Sequence, residues 1–150
     1  MRRTDRIIGV SEARKILESV QHGVLSLVSP DTSPYGIPLN FVLEKGSIYF
    51  HCATQGEKID IISNNAQASF CAIGKTQVQP EQFATQYESA IATGTMKELF
   101  AEEKKRGLIL FLKKYSPEHM AAGAKYIATF FDKTKVFKMD IESLTGKARR

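Results

Sequence analysis

Two short apolar segments lying close together constrain this chain more than any other feature. They are YGIPLNF at Tyr35 to Phe41 and SIYFHCA at Ser47 to Ala53, joined through Glu44-Lys45-Gly46 and followed at once by Gly56-Glu57-Lys58. Read as a hairpin, the pair puts Gly46 where a tight turn needs a positive φ. Pro38 within the first run argues for an edge strand or an opened ladder, because proline has no N–H to offer a neighbouring strand. An opened ladder leaves backbone N–H and C=O groups free to bind something else. A polar, cation-bearing turn beside it suits a phosphorylated ligand, and His51 and Cys52 sit next to the opening.

At 150 residues, with 43% hydrophobic and 25% charged side chains, the chain has ordinary globular composition and fits a single domain over 1–150. No apolar run approaches the roughly 20 residues that span a bilayer. The start, Met1-Arg2-Arg3-Thr4-Asp5-Arg6, leads into no signal-peptide core, so a cytoplasmic protein is expected, with no membrane partner. The two cysteines, Cys52 and Cys71, form no disulfide framework, and neither stands in a metal-ligand spacing with the three histidines. No metal site is expected.

The net charge of +5 gathers largely at the ends, in Arg2, Arg3 and Arg6 and in Lys147, Arg149 and Arg150. Nucleic-acid binders more often carry a basic stripe interleaved with aromatics, and only Lys104-Lys105-Arg106 comes near that pattern. Its simplest reading is a solvated helix face paired with Glu102 and Glu103, so no nucleic-acid partner is expected. The terminal cations differ, because a basic strand end can fold back onto an anionic ligand.

Along the chain, Ser11 is placed to cap a helix carrying Ala13, Ile16, Leu17 and Val20 at helical spacing, ending before His22-Gly23. Gly23 to Ser29 reads as a strand. Pro30 to Pro34 is a turn into the hairpin, making three strands of a meander. Glu57 to Asn64 predicts a short helix, Ala68 to Ile73 a buried strand and Gly74 to Gln82 a polar connection. Tyr87 to Met96 is the next strand, with Gly94 a bulge or close-approach point. Glu102 to Tyr115 reads as a helix, and Ser116-Pro117 starts another that runs to about Phe131. Thr134 to Ile141 alternates as a half-buried strand before the tail SLTGKARR. Some six strands without βαβ alternation predict a mainly β protein, an antiparallel barrel with flanking helices.

The order YGIPLNF, IYFHCA, GEKIDII with Asn64-Asn65 after it, YESAIATGTM and a terminal TGKARR resembles the nitroimidazole-resistance group of the pyridoxamine 5′-phosphate oxidase-like flavoproteins, over nearly the whole chain. That resemblance implies an FMN-binding split β-barrel that forms a homodimer, with one FMN per subunit in clefts at the dimer interface. It implies ring contacts from the strand at Pro38, Leu39 and Asn40, further cofactor contacts at His51, Cys52 and Ala53, and Lys58 at the phosphate. The segment Tyr87-Glu88-Ser89 would come from the partner subunit, with Lys147 or Arg149 helping to neutralise the phosphate. His51 matches the histidine the group places near the flavin, and its expected catalytic role is to deliver a proton while a small molecule is reduced.

The residues themselves suggest simpler roles for several of these. Period-2 alternation turns Cys52 away from His51 as a small buried apolar residue; Cys71 reads as core, and His22 and His119 as surface. Tyr35 and Tyr49 either contact the ring or simply pack. Two functions stay open. One is an FMN-dependent reductase of small aromatic or nitro-substituted molecules, to which NAD(P)H would dock transiently as electron donor, since no G-x-G-x-x-G fingerprint is present. The other is a non-catalytic flavin- or haem-binding protein. A true pyridoxamine 5′-phosphate oxidase would be richer in Arg and Lys near Glu57-Lys58.

Overall fold

The computed structural model describes residues 3–150; Arg2 lies outside them. The strands are β1 (Ile7–Ile8), β2 (His22–Val28), β3 (Pro34–Asn40), β4 (Val42–Glu44), β5 (Ser47–Ala53), β6 (Gln67–Gln79), β7 (Ala84–Leu99) and β8 (Thr134–Arg149). The helices are α1 (Val10–Ser19), α2 (Glu57–Asn64), α3 (Ala101–Tyr115) and α4 (Met120–Phe130). All pairings are antiparallel, in the order β3-β2-β6-β7-β8-β5-β4, with β1 added to β8.

One residue dictates the shape of this sheet. β3 and β4 stand at opposite ends of the strand order, yet only Phe41 separates Asn40 from Val42. Strands lie about 4.8 Å apart, so a flat sheet would put its two edges roughly 29 Å from one another. Two Cα steps of about 3.8 Å cannot cover that distance, so the sheet curls until its edges nearly meet. They do not pair, and the barrel is split along this seam rather than closed by hydrogen bonds.

The seam explains a difference from the sequence reading. YGIPLNF and SIYFHCA do not form one hairpin: β3 pairs only with β2, while the tight turn at Glu44-Lys45-Gly46 joins β4 to β5. Gly46 takes the expected positive φ, 84°, and Pro38 lies on an edge strand, where its missing N–H costs no central ladder bond. The meander breaks at Phe41 because that residue carries the chain across the seam.

The peptide at Phe41 belongs to neither ladder, so its polar groups need other partners. The last two residues of α3 supply them. The Tyr115 phenol accepts the Phe41 N–H at 3.1 Å, and its O–H is shared between the carbonyls of Phe41, at 2.7 Å, and Gln21. Lys114 Nζ donates to the carbonyls of Val20 and Phe41 at 2.8 and 2.9 Å and lies 4.2 Å from the centre of the fully buried Phe41 ring. Desolvation holds the Lys114 pKa below its ordinary value.

Inside the curl, alternate residues form one core: Leu25 and Leu27 of β2, Phe70 and Ala72 of β6, Ala90 and Ala92 of β7, and Ile48 and Phe50 of β5. Phe50 stacks on Phe137 of β8, with ring centres 5.3 Å apart. Helix α1 buries Ala13, Ile16 and Leu17 against this core, and α2 buries Ile61 and Ile62. At Gly94 the β7–β8 register shifts, and a Cβ there would lie 2.0 Å from the Asp140 carbonyl oxygen, so the close approach predicted for this glycine is real.

Several local expectations are corrected. Gly74 to Gln82 is not simply a connection, because β6 continues to Gln79 through a register shift between Ile73 and Thr76; polar residues belong there because both faces of this extension are open. The tail SLTGKARR is the second half of β8, paired along β7 as far as Arg149. Neither Ser11 nor Ser116 caps with its side chain: Gly9 occupies the first cap, and a 3₁₀ turn, Pro117–His119, precedes α4. Cys71 is half-buried rather than core, since Phe70 and Ala72 take the inner face. Lys104 is not part of a solvated pair; it donates to the Phe131 carbonyl at 2.6 Å and lies over that ring, tying α3 to the end of α4.

Tyr115→Phe is expected to destabilise the chain by about 1–3 kcal/mol, the cost of leaving seam backbone groups unpaired. Lys113→Ala, at an exposed neighbouring position, should change stability by less than about 0.5 kcal/mol. Urea unfolding measures both, and a Tyr115→Phe chain as stable as the parent would show that the phenol does not hold the seam.

Candidate functional site

β5 presents its two faces to different surroundings. Phe50 and Cys52 point with Phe137 and Lys135 of β8 toward the barrel, whereas Tyr49 and His51 point with Lys138 and Val136 toward α3 and α4. The predicted opposition of His51 and Cys52 is therefore present. Cys52 is half-buried, and burial pushes its thiol pKa up despite the opposing charges of Lys58 and Lys135. Lys135 is held by Glu98 at 2.8 Å.

His51 meets Phe111 of α3 edge-on, with ring centres 4.6 Å apart and planes at 82°. The two line a cavity of about 360 Å³ whose other walls include Asn40, Leu108, Tyr115, His119, Tyr126, Ile127 and Phe130. Among the described residues, no lysine, arginine, aspartate or glutamate borders it. Asn40 ends β3 and His51 lies near the end of β5, on strands far apart in the sheet order. The curl at Phe41 brings them to one cavity. The helices cover it closely: a Cβ on Gly123 of α4 would lie 2.4 Å from a methyl of Leu112 on α3.

On the other side of α3 lies a second cavity, about 440 Å³, of opposite character. Tyr49 forms part of its wall, among Glu44, Lys45, Glu103, Arg106, Lys113 and Lys138. Tyr49 therefore faces this cavity rather than the one at His51, and Tyr35 packs half-buried against the core.

The remaining predicted site residues fall into separate groups. Pro38 is exposed on the outer face and Leu39 packs half-buried against the core. Ala53 is exposed at the end of β5. Lys58 is the second residue of α2, half-buried, behind Gly56 at φ 141°, a conformation that favours glycine. A Cβ on Gly56 would meet nothing within 4 Å, so the approach to this helix start is open. Ser89 and Lys147 are direct cross-strand partners on β7 and β8, as are Tyr87 and Arg149, but none of the four lines the His51 cavity. Arg150 is engaged by Glu12 and by Glu88, the latter at 3.2 Å.

His119 is the residue the sequence reading missed. It is exposed, as expected, but it borders the same cavity as His51. Nothing in its local sequence marks it, because its position follows from how the α3–α4 pair lies over β5. Among the described residues no group of three or more His, Cys, Asp and Glu side chains could hold a metal ion. Among them, too, no helix is long and apolar enough to cross a membrane.

With this geometry in view, the similarity to known proteins has a clear basis. The chain matches the family described as pyridoxamine 5′-phosphate oxidase over residues 10–148 and belongs to that family. Its fold is similar to that of a candidate 5-nitroimidazole antibiotic resistance protein from Bacteroides thetaiotaomicron, at 20% identity and a TM-score of 0.78, covering 95% of this chain and 86% of the other. It is also similar to an FAD-binding protein from Mesorhizobium loti, at 19% identity and a TM-score of 0.69, covering 97% and 98%. An FAD and haem binding protein from Mycobacterium smegmatis shares the fold at 19% identity and a TM-score of 0.74, covering 93% of this chain and 71% of that one. At these identities the likeness concerns the fold. No curated protein sequence matches the chain.

His51 keeps an exposed edge at the cavity mouth, yet the partial desolvation of its ring beside Phe111 holds its pKa below the ordinary value, because desolvation disfavours the charged form. The folded state thus binds this proton less readily than the unfolded chain, and stability falls as pH drops from about 6.5 toward the lower folded pKa. NMR titration should place the His51 midpoint below 6.5, moved back toward it by Phe111→Ala, which opens the ring to water. A midpoint at or above the ordinary value would remove the desolvating role of Phe111.

Proposed function

We propose that this protein binds FMN and uses it to reduce small aromatic or nitro-substituted molecules, in the manner suggested by its resemblance to the nitroimidazole-resistance group. The observation carrying this reading is the meeting of Asn40 and His51 at one uncharged cavity. The edge strand assigned to the flavin ring and the histidine assigned to proton delivery thereby share a single space. Three relatives support the reading through what they are described as: an FAD-binding protein, an FAD and haem binding protein and a candidate nitroimidazole resistance protein.

The residues present fit such a cofactor. β3 has no strand beyond it, so its outward N–H and C=O groups are available to ring heteroatoms. Lys58, beside the open Gly56 and in the first turn of α2, offers a cation and helix N–H groups to a phosphate. FMN when bound would supply the hydride chemistry. His51, whose pKa desolvation lowers, would donate its ring N–H to the acceptor and relay a proton to it, regaining one from solvent. NAD(P)H is the proposed electron donor, docking transiently.

We assign Ser89 and Lys147 to the partner subunit's cleft in a homodimer. Supporting this, the outer sheet face is small and uncharged where β3, β2, β6 and β7 run side by side: Pro38, Val24, Cys71 and Ile91 form one row across it. Val24 and Ile91 are 37% and 43% exposed, which a second copy would cover. Haem is the second reading, drawn from the Mycobacterium smegmatis relative; against it, no lysine or arginine among the described residues borders the His51 cavity to pair with propionates.

The test is retention of added FMN by the purified chain, read from the visible spectrum after the excess is washed away. Flavin bands should survive. Lys58→Ala should weaken FMN binding roughly 10- to 100-fold, the range of one charge-assisted contact, and Lys105→Ala should leave it unchanged. A colourless protein, or a Soret band in its place, would sink the flavin reading. Equal retention by both variants would take Lys58 out of the phosphate site.

A further inference from the structure

The cavity at His51 holds uncommitted polar groups that the flavin assignment does not use in full. Asn40, His51 and His119 all border it, and among the described residues none of their side chains makes a hydrogen bond to the protein. His51 forms the floor on β5, Asn40 comes from β3, and His119 stands where the 3₁₀ turn enters α4. The walls between them are aromatic and aliphatic: Phe111, Tyr126, Phe130 and Leu108.

The chemistry of this lining selects a kind of occupant. Among the described residues no Lys, Arg, Asp or Glu borders the cavity, so it offers neutral hydrogen-bonding groups but no counter-charge to an anion or a cation. Its volume of about 360 Å³ lies near the lower end of the range for small-molecule sites. Flat rings are favoured by walls of flat rings, through offset and edge-on packing. Two imidazoles and a carboxamide can meet hydrogen-bonding atoms on more than one edge of such a ring.

We propose that this cavity is the substrate pocket, that it takes a neutral planar heteroaromatic molecule with hydrogen-bonding atoms on opposite edges, and that His119 is the specificity-determining residue holding the edge away from His51. The proposal rests on the flavin reading for the fate of that molecule and deepens it by naming its class. The phosphate end of the cofactor stays outside, at Lys58. Lys58 acts electrostatically on Cys52, which points away from His51 on β5, and it does not border the cavity.

Benzimidazole at pH 8 is a suitable probe, being flat, neutral and able to hydrogen-bond on two edges; benzoate is its anionic counterpart. Calorimetric titration would be run with the parent chain and with His119→Ala and His119→Asn, each with and without FMN. The expected result is binding of benzimidazole and not of benzoate, weakened about 5- to 10-fold by His119→Ala, consistent with one lost hydrogen bond, and partly restored by His119→Asn. FMN affinity should be the same in all three chains. His119 is exposed, so these variants should fold. Equal binding of benzoate, no binding of benzimidazole, or no effect of His119→Ala would overturn the proposal. So would a matched loss of FMN affinity in His119→Ala, which would make the cavity the flavin's own seat. Probe binding that depends on His119 in a chain that takes up no FMN would leave the pocket standing and remove the flavin.

Discussion

The contact between the end of α3 and the peptide at Phe41 is the constraint on which the rest of this molecule depends. The chain crosses from one edge of the sheet to the other through a single residue, and that short link obliges the sheet to curl until its edges nearly meet without pairing. That crossing strips Phe41 of strand partners while burying it completely. Without Tyr115 and Lys114 the seam would hold unpaired backbone groups in an apolar setting, which folding does not tolerate cheaply. The Phe41 ring completes the seal, tilted against Phe70 at 4.5 Å and under the Lys114 ammonium.

The same contact couples the seam to the site. Tyr115 and Phe111 stack at 5.9 Å, and both border the cavity that receives His51. Helix α3 thus performs two tasks with neighbouring turns: its last residues hold the barrel edges together, and its middle roofs the space where those edges bring Asn40 and His51. Lys104 and Phe131 fix the far side of the roof by anchoring α3 to the end of α4. The α3–α4 pair also separates two environments on one strand face, uncharged beside His51 and densely charged beside Tyr49.

Much of the fold was legible locally. Helical spacing located α1, α2 and α3, Gly46 and Gly94 announced a tight turn and a close approach, and alternation along IYFHCA separated His51 from Cys52. The errors share a cause. The polar stretch after Ile73 and the tail after Ile141 looked like connections, because open strand extensions lack the apolar alternation by which strands are recognised. The apparent hairpin failed because adjacency in sequence is ordinarily good evidence for pairing, and Phe41 is a case where neighbouring strands go to opposite edges.

The amino-acid sequence by itself determined which segments extend and which coil, and where the chain must turn. These follow from backbone sterics and side-chain periodicity, which act over a few residues. Tertiary structure alone decided that Asn40, His51 and His119 share a cavity without charges, that Ser89 faces Lys147 across strands, and that Tyr115 is a seam residue before it is a wall. Those outcomes depend on the curvature of the whole sheet and on where two helices settle over it, and curvature is a property of all the strands together that no local pattern encodes.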